Sequence, residues 1–99
     1  MVEGSEILRR LLSSEAKGDL LVLFHKNPGL IDTIDGVARR IGRAATAIEA
    51  EIRDLVDLGV LRTKRIGTSK VYLLDRARDA DLQEISANYV RNVKVSRGT

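Results

Sequence analysis

The sequence predicts one mainly helical domain carrying a single small β-hairpin, and three observations lead there. Apolar residues recur at helical spacing in five separate runs. Between the fourth and fifth runs, β-branched and aromatic residues flank "IGTS", whose glycine suits a tight hairpin. The chain has 99 residues, enough for one modest core and too few for a second independent unit.

The elements follow in order. In "SEILRRLL" the residues Ile7, Leu8, Leu11 and Leu12 share one helical face, with Arg9 and Arg10 opposite. A second helix is expected over residues 15–26: Ser13 and Ser14 can cap it, Glu15 suits its positive end, and "NPG" stops it. Its Gly18 costs about 1 kcal/mol against alanine, or marks close packing on a neighbour. "DTIDGVARRIG" offers Thr33 as N-cap, Asp35 in the first turn, and Ile34, Val37, Ala38 and Ile41 at i, i+3, i+4, i+7, closed by Gly42. The next run stacks Ile48, Ile52 and Leu55 up to Gly59, giving a longer helix over about residues 44–58. "VLRTKRIGTSKVYLLD" supplies a two-stranded hairpin with Arg62, Lys64, Arg65 and Lys70 on its arms and tip. Leu82, Ile85, Tyr89 and Val90 then mark a last helix before a polar, basic tail.

Composition narrows the function. With 3% aromatic residues the core must be aliphatic, and platforms for stacking single-stranded bases are not expected. There is no cysteine, His25 is the only imidazole, and no Gly-rich phosphate loop or paired-acid motif occurs, so neither catalysis, a cofactor nor a metal site is expected. His25 reads as a helix-end residue meeting carbonyls. The N-terminal apolar run is too short for a signal peptide and nowhere do 18 apolar residues run together, so a cytoplasmic protein without membrane contact is expected. One Gln and three Asn amid abundant charge would suit a thermophile. The net charge is only +3, so its placement matters more than its sum.

A short helix ending in glycine and followed at once by a longer one forms a helix-turn-helix, the first bracing the second. With the hairpin directly behind it, the stretch from about residue 15 to 75 resembles a winged helix-turn-helix regulator of the ArsR/MarR type. The resemblance rests on "TIDGVARRIG", "LVDLGVLRTKRIGTSKVYLL", Gly59 and Tyr72. It implies a small dimeric transcription factor of prokaryotic, archaeal kind, with the helix after Gly42 in the major groove and the wing along phosphates. On that basis the chain divides into an N-terminal helix (1–14), a winged-helix core (15–75) and a C-terminal helix and tail (76–99). Metal-sensing ArsR members use Cys or His clusters that this chain lacks.

A helical wheel centred on Ile48 sets Arg43, Thr46, Ala50, Arg53 and Asp57 within about 40° of the opposite direction, with Glu49 and Glu51 on the flanks. Thr46 and Glu49 spell a T-x-x-E capping box, and Glu49 precedes Arg53 by four residues, the favourable order for a helical ion pair. Thr46, Ala47 and Ala50 are the candidates to meet bases and Arg43 a base or phosphate, although alanines also serve plain helix propensity. From Leu61 to Arg78 the local charge is +5, and Arg39, Arg40 and Arg43 form a second basic cluster. Arg39, Arg40, Arg53, Arg62, Lys64, Arg65 and Lys70 are therefore the expected backbone contacts to double-stranded DNA.

The terminal helices carry more apolar surface than a winged helix needs: Ile7, Leu8, Leu11 and Leu12 on one, Leu82, Ile85, Tyr89 and Val90 on the other. A homodimer would bury them, and folding back within one subunit is the alternative. A second functional class also stands open. The stretch Glu49 to Asp57 sums to −3, which suits a winged helix that binds protein within a larger assembly.

Overall fold

Local hydrogen bonding starts and stops each helix. Ser14 Oγ accepts the Lys17 amide at 3.0 Å, and Thr33 Oγ1 accepts the Gly36 amide at 3.2 Å, so both expected N-caps are made. In the computed structural model, which describes residues 4–97 and the side chains of 6–85, 87 and 88, these caps open α2 (Glu15–Lys26) and α3 (Ile34–Arg40). The remaining helices are α1 (Gly4–Leu11), α4 (Ala45–Asp57) and α5 (Arg76–Arg97).

Both helices of the turn end in the same way. Gly42 takes φ 68°, letting the Arg43 amide reach Ala38 O at 3.0 Å and its own amide reach Arg39 O at 3.2 Å. Gly59 takes φ 85°, and Val60 then donates to Leu55 O at 3.0 Å while both side chains enter the core. Gly59 is also held by space, since a Cβ there would stand 2.8 Å from Arg78 Cγ, and Arg78 Nε donates to Leu58 O at 3.1 Å.

The sheet has three strands, where the sequence predicts two. β2 (Leu61–Ile66) and β3 (Ser69–Leu74) form the expected hairpin, with Ile66 opposite Ser69 and Gly67 at φ 62° in the first loop position, as a type II′ turn asks. β1 (Ile31–Asp32) adds antiparallel to β3, giving the order β1-β3-β2. Two residues carry no periodicity of their own, so this strand exists only through its partner.

Leu20, Phe24, Val37, Ile48, Ile52, Leu55, Val60 and Leu61 fill the core, joined by Ile7 from α1 and Leu82 from α5. Ile7 is 3% exposed and Leu82 1%, so these two side chains are already covered within the protomer, as the fold-back alternative has it. The Gly18 expectation also shifts, because a Cβ there would meet nothing within 4 Å. Close packing is not its reason.

One buried charge ties three helices together. Lys17 is 4% exposed, and its ammonium donates to Arg10 O at 2.7 Å, Ser13 Oγ at 2.8 Å and the Asp54 carboxylate. Arg10 donates to the other Asp54 oxygen. All three Lys17 donors are thus used, the condition under which a buried ammonium is tolerated.

Candidate nucleic-acid interface

The turn between α3 and α4 presents α4 with Ile48, Ile52 and Leu55 inward and Thr46, Ala50, Arg53 and Asp57 outward, as the wheel predicts, and Ala47 is exposed beside them. The cap differs. Ala44 is the N-cap residue and makes no side-chain hydrogen bond, so Thr46 lies inside the first turn and the expected Thr46–Glu49 box does not form. The Schellman-type closure of α3 fixes where α4 begins, and it leaves Thr46 exposed. Nor do Glu49 and Arg53 pair within 4 Å among the described residues. Both line a cleft of about 320 Å³ between α4 and the wing, together with Thr63, Lys70 and Tyr72. Lys70 Nζ stands 5.7 Å from the centroid of the Tyr72 ring.

The basic residues fall into two groups. Arg43 donates from Nε at 3.1 Å and Nη2 at 2.8 Å to a single Asp19 oxygen on α2. Arg40 Nε reaches Asp32 at 3.1 Å, and Arg62 Nε stands 3.7 Å from Asp75. Arg39, Arg53, Lys64, Arg65 and Lys70 are exposed and have no carboxylate within 4 Å among the described residues. Beyond Leu61 every β2 residue is exposed, so the wing projects its charge into solvent.

Electrostatics explains why some acids sit near this surface without opposing it. Burial pushes the Asp32 carboxyl up, but the Thr33 amide at 2.8 Å and the Arg40 guanidinium together hold it below the usual carboxylate range. That carboxylate also explains Gly36, where a Cβ would come within 2.2 Å of it. For Asp54 burial again pushes up, and the hydrogen bonds from Lys17 and Arg10 outweigh it and lower the value. Asp54 therefore faces inward, leaving Glu49, Glu51 and Asp57 as the remaining acids of α4.

Sequence reasoning missed Asp19, Asp32 and Lys17. Asp19 and Arg43 are 24 residues apart on different helices, and nothing in the sequence links them. Lys17 did leave a signal, since it precedes Leu20 by three residues and Phe24 by seven, on the buried stripe.

Elsewhere, α1, α2 and α5 enclose a groove of about 290 Å³ lined by Leu8, Leu11, Leu12, Leu21 and Leu82, with His25, Asp79 and Gln83. Leu12 is 68% exposed, whereas Leu8, Leu11 and Ile85 are half-buried. Tyr89 and Val90 lie outside the residues whose side chains are described. His25 does meet a carbonyl, Leu21 O at 2.6 Å from Nδ1, and its Nε2 also contacts the Asp79 carboxylate at 2.8 Å. Among the described residues no group of three or more His, Cys, Asp or Glu could hold a metal, and no helix is long and apolar enough to cross a membrane.

No protein-family model and no curated protein matches the chain. Solved structures do. A possible transcriptional regulator for arsenical resistance aligns with TM-score 0.66 at 18% identity, over 90% of this chain and 85% of the other. An ArsR family transcriptional regulator aligns with TM-score 0.62 at 16% identity, over 95% and 97%. The AntR antimony-specific transcriptional repressor aligns with TM-score 0.59 at 20% identity, over 89% and 77%. At these identities the likeness establishes the fold, a winged helix-turn-helix of the ArsR type flanked by N- and C-terminal helices.

Proposed function

We propose that the protein binds double-stranded DNA sequence-specifically as a small dimeric transcriptional regulator. The observation that carries this reading is the exposed charge of Lys64, Arg65 and Lys70, without a carboxylate within 4 Å among the described residues, beside an α4 face of small side chains. Exposed cations on a projecting hairpin neutralise phosphates and release counterions, while Thr46, Ala47 and Ala50 permit close approach to base edges and thymine methyls. Arg39 and Arg53 add backbone contacts beside them, with Arg40 and Arg62 at the margins. The uncapped first turn of α4 leaves amides able to meet a phosphate oxygen. The regulators sharing the fold are described as acting in transcription, and the reading extends that role to this chain.

Leu8, Leu11, Leu12 and Ile85 would form the dimer contact, with the α1–α5 groove receiving the partner's apolar side chains. Leu12→Lys should shift the protein towards monomer in sedimentation, and an unchanged dimer would remove this face from the model. Selection of bound sequences from a random duplex pool tests the whole reading. A palindromic consensus is expected. No enrichment would overturn it in favour of a protein-binding winged helix, whose support, the acidity of α4, is reduced by the inward engagement of Asp54.

A further inference from the structure

We infer that Asp19 is a positioning residue for sequence recognition, holding Arg43 so that its guanidinium reads a base edge by geometry more than by charge. The inference rests on the DNA-binding reading above. Arg43 stands immediately before the N-cap of α4 and is anchored at both ends. Its amide donates to Ala38 O at 3.0 Å, next to Gly42 at φ 68°. Its Nε and Nη2 donate to one Asp19 oxygen at 3.1 and 2.8 Å. A guanidinium carries five N–H donors, so three remain for a ligand. Arg43 also lines an open concavity at the turn, where Ala38, Ala44 and Ala45 present small side chains and Asp35 and Arg39 stand at the same opening.

The physics separates this role from two plainer ones. An arginine fixed at both ends loses little further freedom when it bonds a base, which favours bidentate contact with guanine. A neutral Arg–Asp pair adds little to counterion release, so it suits specificity better than bulk affinity. With both side chains partly exposed the pair also does little for stability.

The sign of one substitution decides. Asp19→Ala removes a negative charge beside the proposed DNA surface, and on charge alone it should tighten binding. On the positioning account, the full chain with Asp19→Ala binds its selected duplex about five-fold more weakly. Its affinity for unrelated duplex is not reduced, and its melting temperature is unchanged. Asp19→Asn, which keeps an acceptor, recovers part of the loss, and Asp19→Ala causes no further loss in an Arg43→Ala background. Equal or tighter binding by Asp19→Ala, or the same loss when Arg43 is already alanine, overturns the inference. If the wild-type chain enriches no sequence, the DNA-binding reading falls and this inference with it. If it enriches one and is indifferent to Asp19, this inference alone falls.

Discussion

The helical body and the wing treat charge in opposite ways. In the body, four cations meet acids from other elements: Lys17 and Arg10 meet Asp54, Arg43 meets Asp19, and Arg40 meets Asp32, while Arg39 and Arg53 stay exposed without a carboxylate within 4 Å among the described residues. Beyond the base of the wing, Lys64, Arg65 and Lys70 meet none among the described residues. Charge inside the body therefore serves geometry, orienting α1, α2 and the turn against α4. Charge on the wing adds little to the fold and remains available to a polyanion. The same distinction predicts which substitutions move stability and which move binding.

The sharpest break should come from Asp54→Ala, which strands the buried Lys17 ammonium and costs about 3 kcal/mol in urea unfolding. A loss below about 1 kcal/mol would mean that the network behaves as a surface pair. The same contact has a pH signature. Because the folded Asp54 value lies below that of the unfolded chain, its contribution is complete above the ordinary carboxylate value, about 3.9, and fades as pH falls through the folded value. Acid unfolding of wild type should include this loss, and Asp54→Asn should flatten that part of the profile.

Smaller effects sharpen the picture within the body. Thr33→Ala should cost about 1 kcal/mol through the lost cap of α3, whereas Thr46→Ala should change stability by less than about 0.5 kcal/mol, because Thr46 caps nothing. Equal losses in thermal melts would restore the capping box. Gly18→Ala should stabilise α2 by about 0.5–1 kcal/mol, since its Cβ meets open space, and should leave DNA binding unaltered. A destabilised Gly18→Ala would mean that a neighbour crowds that position.

What was legible in the sequence was local. Ser14, Thr33, Gly42, Gly59 and Gly67 act within their own turns, so the helices, the hairpin and the exposed face of α4 could be read directly from spacing. β1 could not, because Ile31 and Asp32 become a strand only by pairing with Leu73 and Tyr72. Thr46 misled for a related reason: the closure of α3 sets the start of α4, and the T-x-x-E spelling falls two residues too late. The wing's basic residues were legible as a cluster. Their difference from Arg40 and Arg43 was not, since the acids that occupy those arginines come from other elements, Asp32 from β1 and Asp19 from α2. Ile7 and Leu82 follow the same rule, being on apolar faces whose partner only the tertiary fold reveals.

The most direct test is the dependence of duplex-DNA affinity on salt for the wild type and for Lys64→Ala, Arg65→Ala, Lys70→Ala combined. The account predicts a linear fall of log affinity with log salt in the wild type, with the slope reduced by about 3 in the triple variant and its melting temperature unchanged. An unchanged slope, or a wild-type affinity indifferent to salt, would contradict the claim that the wing's exposed charge drives binding.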